Sequence, residues 1–211
     1  MRNIFILVLL SSTLACTASD KPTPSANNRT SKADEAGPKN IILLVGDGMG
    51  LSAVSTGFYF GDQPSVFLRF QEIGLQKTSS ATHKVTDSAA SGTSMATGIK
   101  TYNGAIGVDT GMNAIPNIAE LLADRNWSTG VVATSTITHA TPASFYAHVF
   151  QRSMEETIAA QLLVSEIDFF AGGGRDKFQF RRDSVNLLSL AREKGFIIDT
   201  TSLPAPGSLQ A

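Results

Sequence analysis

The stretch Asn40-Ile41-Ile42-Leu43-Leu44-Val45-Gly46-Asp47-Gly48-Met49-Gly50 decides how the rest of the chain is read. Ile41 to Val45 is a continuous apolar run of strand length. It lacks the polar alternation of a half-exposed strand, so it predicts a strand buried on both faces of a parallel sheet. Gly48 and Gly50 allow a tight turn, and Leu51 to Phe60 reads as a helix. Asp47 therefore stands at the carboxyl end of a strand, the edge at which open α/β sheets form their sites.

Working outward, apolar runs alternate with amphipathic ones. Pro116 to Asp124 predicts a helix with proline in its first turn. Gly130 to Ser135 predicts a strand, Glu155 to Glu166 a helix, and Asp168 to Ala171 a short strand ending in Gly172-Gly173-Gly174. Ser184 to Lys194 predicts a further helix and Phe196 to Ile198 a further strand. This alternation implies an α/β fold, a three-layer sandwich with a mostly parallel central sheet. The loop Thr138-His139-Ala140-Thr141-Pro142 follows the second strand and points at the same edge as Asp47. The Asn103-Gly104 turn within Thr101 to Gly107 predicts a small hairpin. His148 reads as a packing residue in a helix, and His83 as an exposed one.

A second segment carries chemistry: Val85-Thr86-Asp87-Ser88-Ala89-Ala90-Ser91-Gly92-Thr93. It offers a hydroxyl where a helix begins, and the free N–H groups of a helix start favour an anion. The small residues after Ser88 permit close backbone approach. A hydroxyl is a poor nucleophile at neutral pH unless a base or a metal activates it, and Asp47 is an acidic oxygen suited to bring a metal close. Each feature also has a plain reading. Asp87 or Ser88 could simply cap a helix, Asp47 before glycine is an ordinary turn residue, and Arg152 and His139 could be solvated loop side chains.

Bulk properties set limits. The chain has 211 residues, 42% of them hydrophobic, enough for a core. A formal charge of −1 with no basic tract excludes a nucleic-acid footprint. The single cysteine, Cys16, rules out an internal disulfide. Arg2, the apolar run Ile4 to Leu10 and the small residues before Cys16 read as a secretory signal over residues 1–15. The run is too short to span a membrane, and Leu14-Ala15-Cys16 resembles a lipoprotein cleavage box, which makes Cys16 the expected lipidation site. Residues 16–38 are rich in Ser, Thr, Pro, Asn and Lys and read as a disordered tether, leaving 39–211 to fold. The expectation is an exported bacterial protein, in the periplasm or on the outer membrane, touching lipid only through that anchor.

Taken together and in order, these segments resemble the alkaline phosphatase family. The resemblance runs through Asn40 to Gly50, the nonapeptide Val85 to Thr93, His139-Ala140-Thr141-Pro142, Ala147-His148-Val149 with Arg152, and Gly172 to Arg175. It implies hydrolysis of small phosphomonoesters, with two Zn2+ and one Mg2+ as cofactors and a phosphoserine intermediate. Residue by residue, it makes Asp47 the bridge between a zinc and the magnesium, Ser88 the nucleophile and a zinc ligand, and Thr141 a magnesium ligand. Arg152 becomes the phosphoryl clamp and Asp87 its orienting partner. His139 takes a position that tunes how tightly the third metal is held. The family commonly forms homodimers, which leaves a homodimer open here.

The resemblance also sets a mismatch. Family members carry a glutamate and further aspartate and histidine ligands downstream, and no residues after Gly174 suit those roles. The expectation is the N-terminal part of such an enzyme, incomplete at the C-terminus, with little activity alone. One alternative is a non-catalytic lipoprotein that binds phosphate or metal. Another is a subtilisin-like serine protease using Ser94 in Gly92-Thr93-Ser94-Met95-Ala96, although the proline expected after that motif is absent. A dinucleotide site at Gly46 to Gly50 is disfavoured by Leu51, which stands where the third glycine belongs.

Overall fold

The computed structural model describes residues 40–202. The signal peptide, Cys16 and most of the tether lie outside the described residues, as does the tail from residue 203. The chain divides into two units, Met1–Leu44 and Val45–Ala211. Of the first unit only residues 40–44 are described. They form no helix or strand and are exposed, with Ile42 and Leu44 more than 80% accessible.

In the second unit the elements follow in chain order. Helix α1 is Leu51–Phe60 and a short 3-10 turn covers Val66–Arg69. Helix α2 is Ser88–Thr97, α3 Ile118–Ala123, strand β1 Gly130–Thr136 and the short helix α4 Ala140–Ala143. Then come α5 Glu155–Leu162, β2 Phe169–Gly173, α6 Asp176–Gln179 and α7 Leu187–Glu193. Strands β1 and β2 pair in parallel, Gly130 opposite Phe169 and Thr136 opposite Gly173, with an irregularity between Val132 and Thr136. A parallel pair needs a crossover, and α4 with α5 supplies it. The parallel strand pair and surrounding helices are those of the expected α/β class.

The core lies under the crossover. Ile106, Ile137, Ile158 and Leu162 are almost wholly removed from water, and Phe178, Leu187 and Ala191 close it from the C-terminal helices. Full burial of such a side chain stabilises by about 1.5–3 kcal/mol. Tyr146 is buried too, and its hydroxyl donates to the Ile137 carbonyl at 2.8 Å. Burial pushes its phenol far above the usual tyrosine range.

Several expectations need correction. Ile41 to Val45 is not a strand: all five residues are exposed and none joins a ladder, and a strand needs a partner for its backbone groups. Phe196 to Ile198 is also irregular. Pro116 precedes the helix and does not sit in its first turn; Asn117 is the cap, accepting from Ala119 and Glu120 N–H, while Glu120 reaches back to the Asn117 N–H. This reciprocal capping box fixes where α3 starts. Asn103-Gly104 does turn the chain, but Ile106 pairs with Val149 and not across a hairpin. Among the described residues no helix is long and apolar enough to cross a membrane.

Candidate active site

Helix α2 begins where the sequence indicates. Asp87 is its cap in an extended conformation and accepts from the Ala90 N–H at 3.0 Å, so Ser88 is the first helical residue. A side-chain cap of this kind stabilises a helix by about 1 kcal/mol. It also fixes the direction in which Ser88 leaves the backbone.

Asp47 lies in the exposed turn after Val45. Its two oxygens serve different partners. Oδ1 accepts from the Ser88 hydroxyl at 3.0 Å, and Oδ2 accepts from the Thr141 hydroxyl at 2.8 Å. Ser88 and Thr141 come from α2 and α4, and they meet because α2 carries no side chain at Gly92. A Cβ there would stand 2.6 Å from Ser144 Oγ and 3.4 Å from Thr141 Cα. The run of small residues in α2 is thus the condition for close approach.

Arg152 forms the other side. Its NH1 donates to Asp87 Oδ2 at 3.1 Å, and its NH2 lies 3.2 Å from His139 Nε2. An arginine can only donate, so His139 accepts through Nε2. Asp87 Oδ2 also accepts from the Gly104 N–H at 3.1 Å. Partial burial works to raise the Asp87 pKa, but the backbone N–H groups of Ala90 and Gly104, with Arg152, outweigh it and hold the carboxyl below its ordinary value. Ser88, Thr141, His139 and Arg152 are all half-buried, reachable from solvent yet fixed by packing.

Five sequence-selected side chains beyond Ser88 therefore converge: Asp47, Asp87, Thr141, Arg152 and His139. Ser94 does not join them. Its hydroxyl donates to the Ser91 carbonyl within α2 at 3.0 Å, and no histidine bonds to it among the described residues. His83 is exposed as expected. His148 is not in a helix; it sits in the segment beside Ile106, with both ring nitrogens engaged.

The loop that joins the two sides reads in the sequence only as an Asn103-Gly104 turn, and its ties to α2 and to Arg152 went unseen. Thr93 is fully buried; its hydroxyl donates to the Ala105 carbonyl at 3.1 Å and accepts from the Gly107 N–H at 2.9 Å. Arg152 N–H donates to the Gly104 carbonyl at 2.8 Å. The available signal was the pair of glycines, Gly104 and Gly107, both at positive φ. A Cβ at Gly107 would fall 2.1 Å from the Ala147 carbonyl oxygen, closer than any side chain permits.

The donor set bears on metals. Asp47 presents two carboxylate oxygens, each within 3.0 Å of a hydroxyl, a set of hard oxygen donors of the kind that magnesium takes. Zinc requires three or four protein ligands. No group of three or more His, Cys, Asp or Glu gathers among the described residues. The residues thus fit part of such a site.

A protein-family profile described as alkaline phosphatase matches residues 38–195. The chain belongs to the alkaline phosphatase family. Alkaline phosphatase 3 of Bacillus subtilis (strain 168) is 36% identical over 206 residues, covering 90% of this chain and 44% of that protein. The solved alkaline phosphatase of the Antarctic bacterium TAB5 is 50% identical with a TM-score of 0.79, covering 81% of this chain and 50% of that one. A histidine-to-glutamate variant of the TAB5 alkaline phosphatase, described with magnesium in its M3 site, is 49% identical at a TM-score of 0.74 over 75% of this chain and 46% of its own. The chain spans about half the length of the alkaline phosphatases it matches.

Proposed function

We propose that this chain carries the nucleophile and the phosphoryl clamp of a metal-dependent phosphomonoesterase that works through a phosphoserine at Ser88. One observation carries the reading: the Ser88 hydroxyl is held by Asp47 on one side while Arg152 is held by the adjacent Asp87 on the other. Family membership supports the substrate class, small phosphomonoesters.

Ser88 Oγ forms the new bond to phosphorus and the ester P–O bond breaks, releasing the alcohol; water then displaces Ser88 and leaves inorganic phosphate. Asp47 Oδ1 takes the direction of the Ser88 proton, so the oxygen lone pairs face outward. Arg152 spans two phosphoryl oxygens with its planar fork, which the point charge of lysine could not match. Asp87 keeps that fork in place, and the α2 N-terminus adds its free N–H groups for the anion. In phosphoryl transfer such positioning and charge stabilisation provide most of the catalysis. Divalent cations bound at Asp47, Ser88 and Thr141 would supply Lewis-acid charge at the attacking and leaving oxygens. His139 accepts from Arg152 NH2 and helps to set the direction of that fork.

Turnover by this chain alone is expected to be slow, because the described residues provide fewer ligands than zinc demands. The N-terminal pattern of Ile4 to Leu10 and Cys16 supports export with a lipid anchor. The test is a trapping experiment. The chain is incubated with zinc, magnesium and a radiolabelled phosphomonoester, quenched in acid and mapped by mass spectrometry. Label on Ser88 that disappears in S88A and falls in R152A is the expected result. Label on another residue, or equal label in S88A, defeats the reading.

A further inference from the structure

We propose that His148 is a positioning residue for Arg152, acting through the loop at Gly104 to Gly107. The inference rests on Arg152 being the phosphoryl clamp.

His148 is gripped on every polar side. Its Nδ1 is 2.7 Å from the Gly107 carbonyl and its Nε2 2.9 Å from Glu120 Oε1. Its own N–H donates to Gln161 Oε1 at 2.7 Å, and its carbonyl accepts from Gln161 Nε2 at 3.1 Å. Both ring nitrogens face oxygen atoms of other residues. Glu120 is already immobilised, since Oε2 closes the capping box of α3 and only Oε1 is turned to His148. A ring so heavily anchored is more than filling.

What the ring anchors is the register of a short antiparallel pairing. Residues 148–152 run alongside 107–104. His148 closes one end through Gly107, Ile106 and Val149 exchange both backbone hydrogen bonds at 3.0 and 2.9 Å in the middle, and Arg152 N–H closes the other end on Gly104 at 2.8 Å. Gly104 is also the residue whose N–H holds Asp87. So the backbone of Arg152 and the carboxylate it pairs with are both referred to one residue, and the far end of that pairing is pinned by His148. The pairing holds a single bridge, Ile106 with Val149, and the contacts at Gly107 and Gly104 are what extend it on either side. Gly107 also bonds Thr93 on α2, which ties the same loop to the helix bearing Ser88.

The two ring nitrogens can be separated. H148N keeps a donor near the Nδ1 position, toward Gly107. H148Q keeps one near the Nε2 position, toward Glu120. Each loses one hydrogen bond, so a purely structural role predicts similar losses of stability and similar effects on Arg152. Positioning through the loop predicts that only the Gly107 arm matters. The experiment is side-chain NMR of the full chain with 15N-labelled arginine, reading the rotation rate of the Arg152 guanidinium. H148Q and H148A are expected to speed it about tenfold or more, the effect of losing one hydrogen bond to a charged group. H148N is expected to change it less than about twofold. Equal rates in H148N and H148Q would overturn the proposal. The unsubstituted chain gives a check that needs no variant: scalar coupling across the hydrogen bond from His148 Nδ1 to the Gly107 carbonyl carbon. Its absence would also overturn it. Titration with inorganic phosphate in zinc and magnesium separates this from the functional reading. Arg152 held by His148 but unmoved by phosphate upholds the positioning role and sinks the clamp. Phosphate contact on an Arg152 indifferent to all three variants does the reverse.

Discussion

Residues 45–75 and residues 87–178 both feed the same site, yet they are built in opposite ways. In the first stretch Leu51, Phe60, Ile73 and Leu75 are 78–92% exposed, and α1 buries none of its residues. Phe58 stacks on Phe67, which tilts against Phe70. In the second stretch Ala89, Ile106, Ile137, Ile158 and Leu162 are at most 2% exposed. Asp47 comes from the first; Asp87, Ser88, His139, Thr141 and Arg152 come from the second. The difference teaches that an apolar pattern states which face seeks burial, while the neighbouring polypeptide decides whether burial happens. The Ser88–Arg152 half of the site is braced from within this chain. The Asp47 half is held by its hydrogen bonds to Ser88 and Thr141.

If that comparison is right, core substitutions in the second stretch should cost most. Ile158 is fully buried on the inner face of the crossover helix α5. Ile158→Ala is expected to destabilise by about 2–5 kcal/mol through lost transfer energy and a residual cavity, read as a lower urea midpoint at unchanged slope. A loss below about 1 kcal/mol would mean that this core is as loosely held as the first stretch. Thr93→Val tests the brace directly. It keeps the shape but leaves the Ala105 carbonyl and the Gly107 N–H without their partner. About 2–3 kcal/mol is expected, since a buried unsatisfied group costs about 1–3 kcal/mol, and it should be accompanied by faster hydrogen exchange at Gly104 and Arg152.

Asp87→Asn should cost less, about 1–2 kcal/mol, because asparagine still caps α2 while the charge facing Arg152 is lost. The pH dependence gives the sign. The folded-state pKa of Asp87 lies below the ordinary 3.8. The stabilisation it brings is therefore fully present above that ordinary value and is lost as pH falls through the lower folded one. The stability gap between the two proteins should be constant at neutral pH and close in acid. A gap that persisted with Asp87 protonated would show that the cap geometry, not the charge, was what the substitution damaged.

Much of this was legible beforehand, for stated reasons. Helices α1 and α2 and the start of β1 follow from local signals: glycines before Leu51, the Asp87 cap, and the β-branched run after Gly130. The convergence of Ser88, Asp47 and Arg152 was legible only as an ordered set of motifs, since each residue alone has an ordinary explanation. The two failed strands have one cause. Ile41 to Val45 and Phe196 to Ile198 have the composition of buried strands, but a strand exists only when another pairs with it, and that partner is not encoded in the segment. The same holds for His148. Its helix assignment came from neighbours in sequence, whereas its surroundings, Gly107, Glu120 and Gln161, are set by distant parts of the chain.

Asp47→Asn is expected to have the smallest effect on stability and the sharpest effect on binding. Asp47 is exposed, and its two hydrogen bonds reach hydroxyls that water can also satisfy. Surface changes of this kind fall within about 0.5 kcal/mol, and asparagine still accepts from one of the two hydroxyls. As a ligand the change is severe: one carboxylate oxygen becomes an NH2 that can only donate, and the negative charge is gone. Calorimetric titration with magnesium should therefore show binding to the unsubstituted chain that Asp47→Asn weakens by about tenfold or more, since losing even an outer-shell partner of a ligand costs about 10–100-fold. Thermal unfolding of the two apo proteins should coincide. If the unfolding curves separated widely, Asp47 would belong to the braced half of the molecule and the contrast between the two stretches would fail. If they coincided and cation binding were also unchanged, the two hydroxyls around Asp47 would be a turn contact and nothing more.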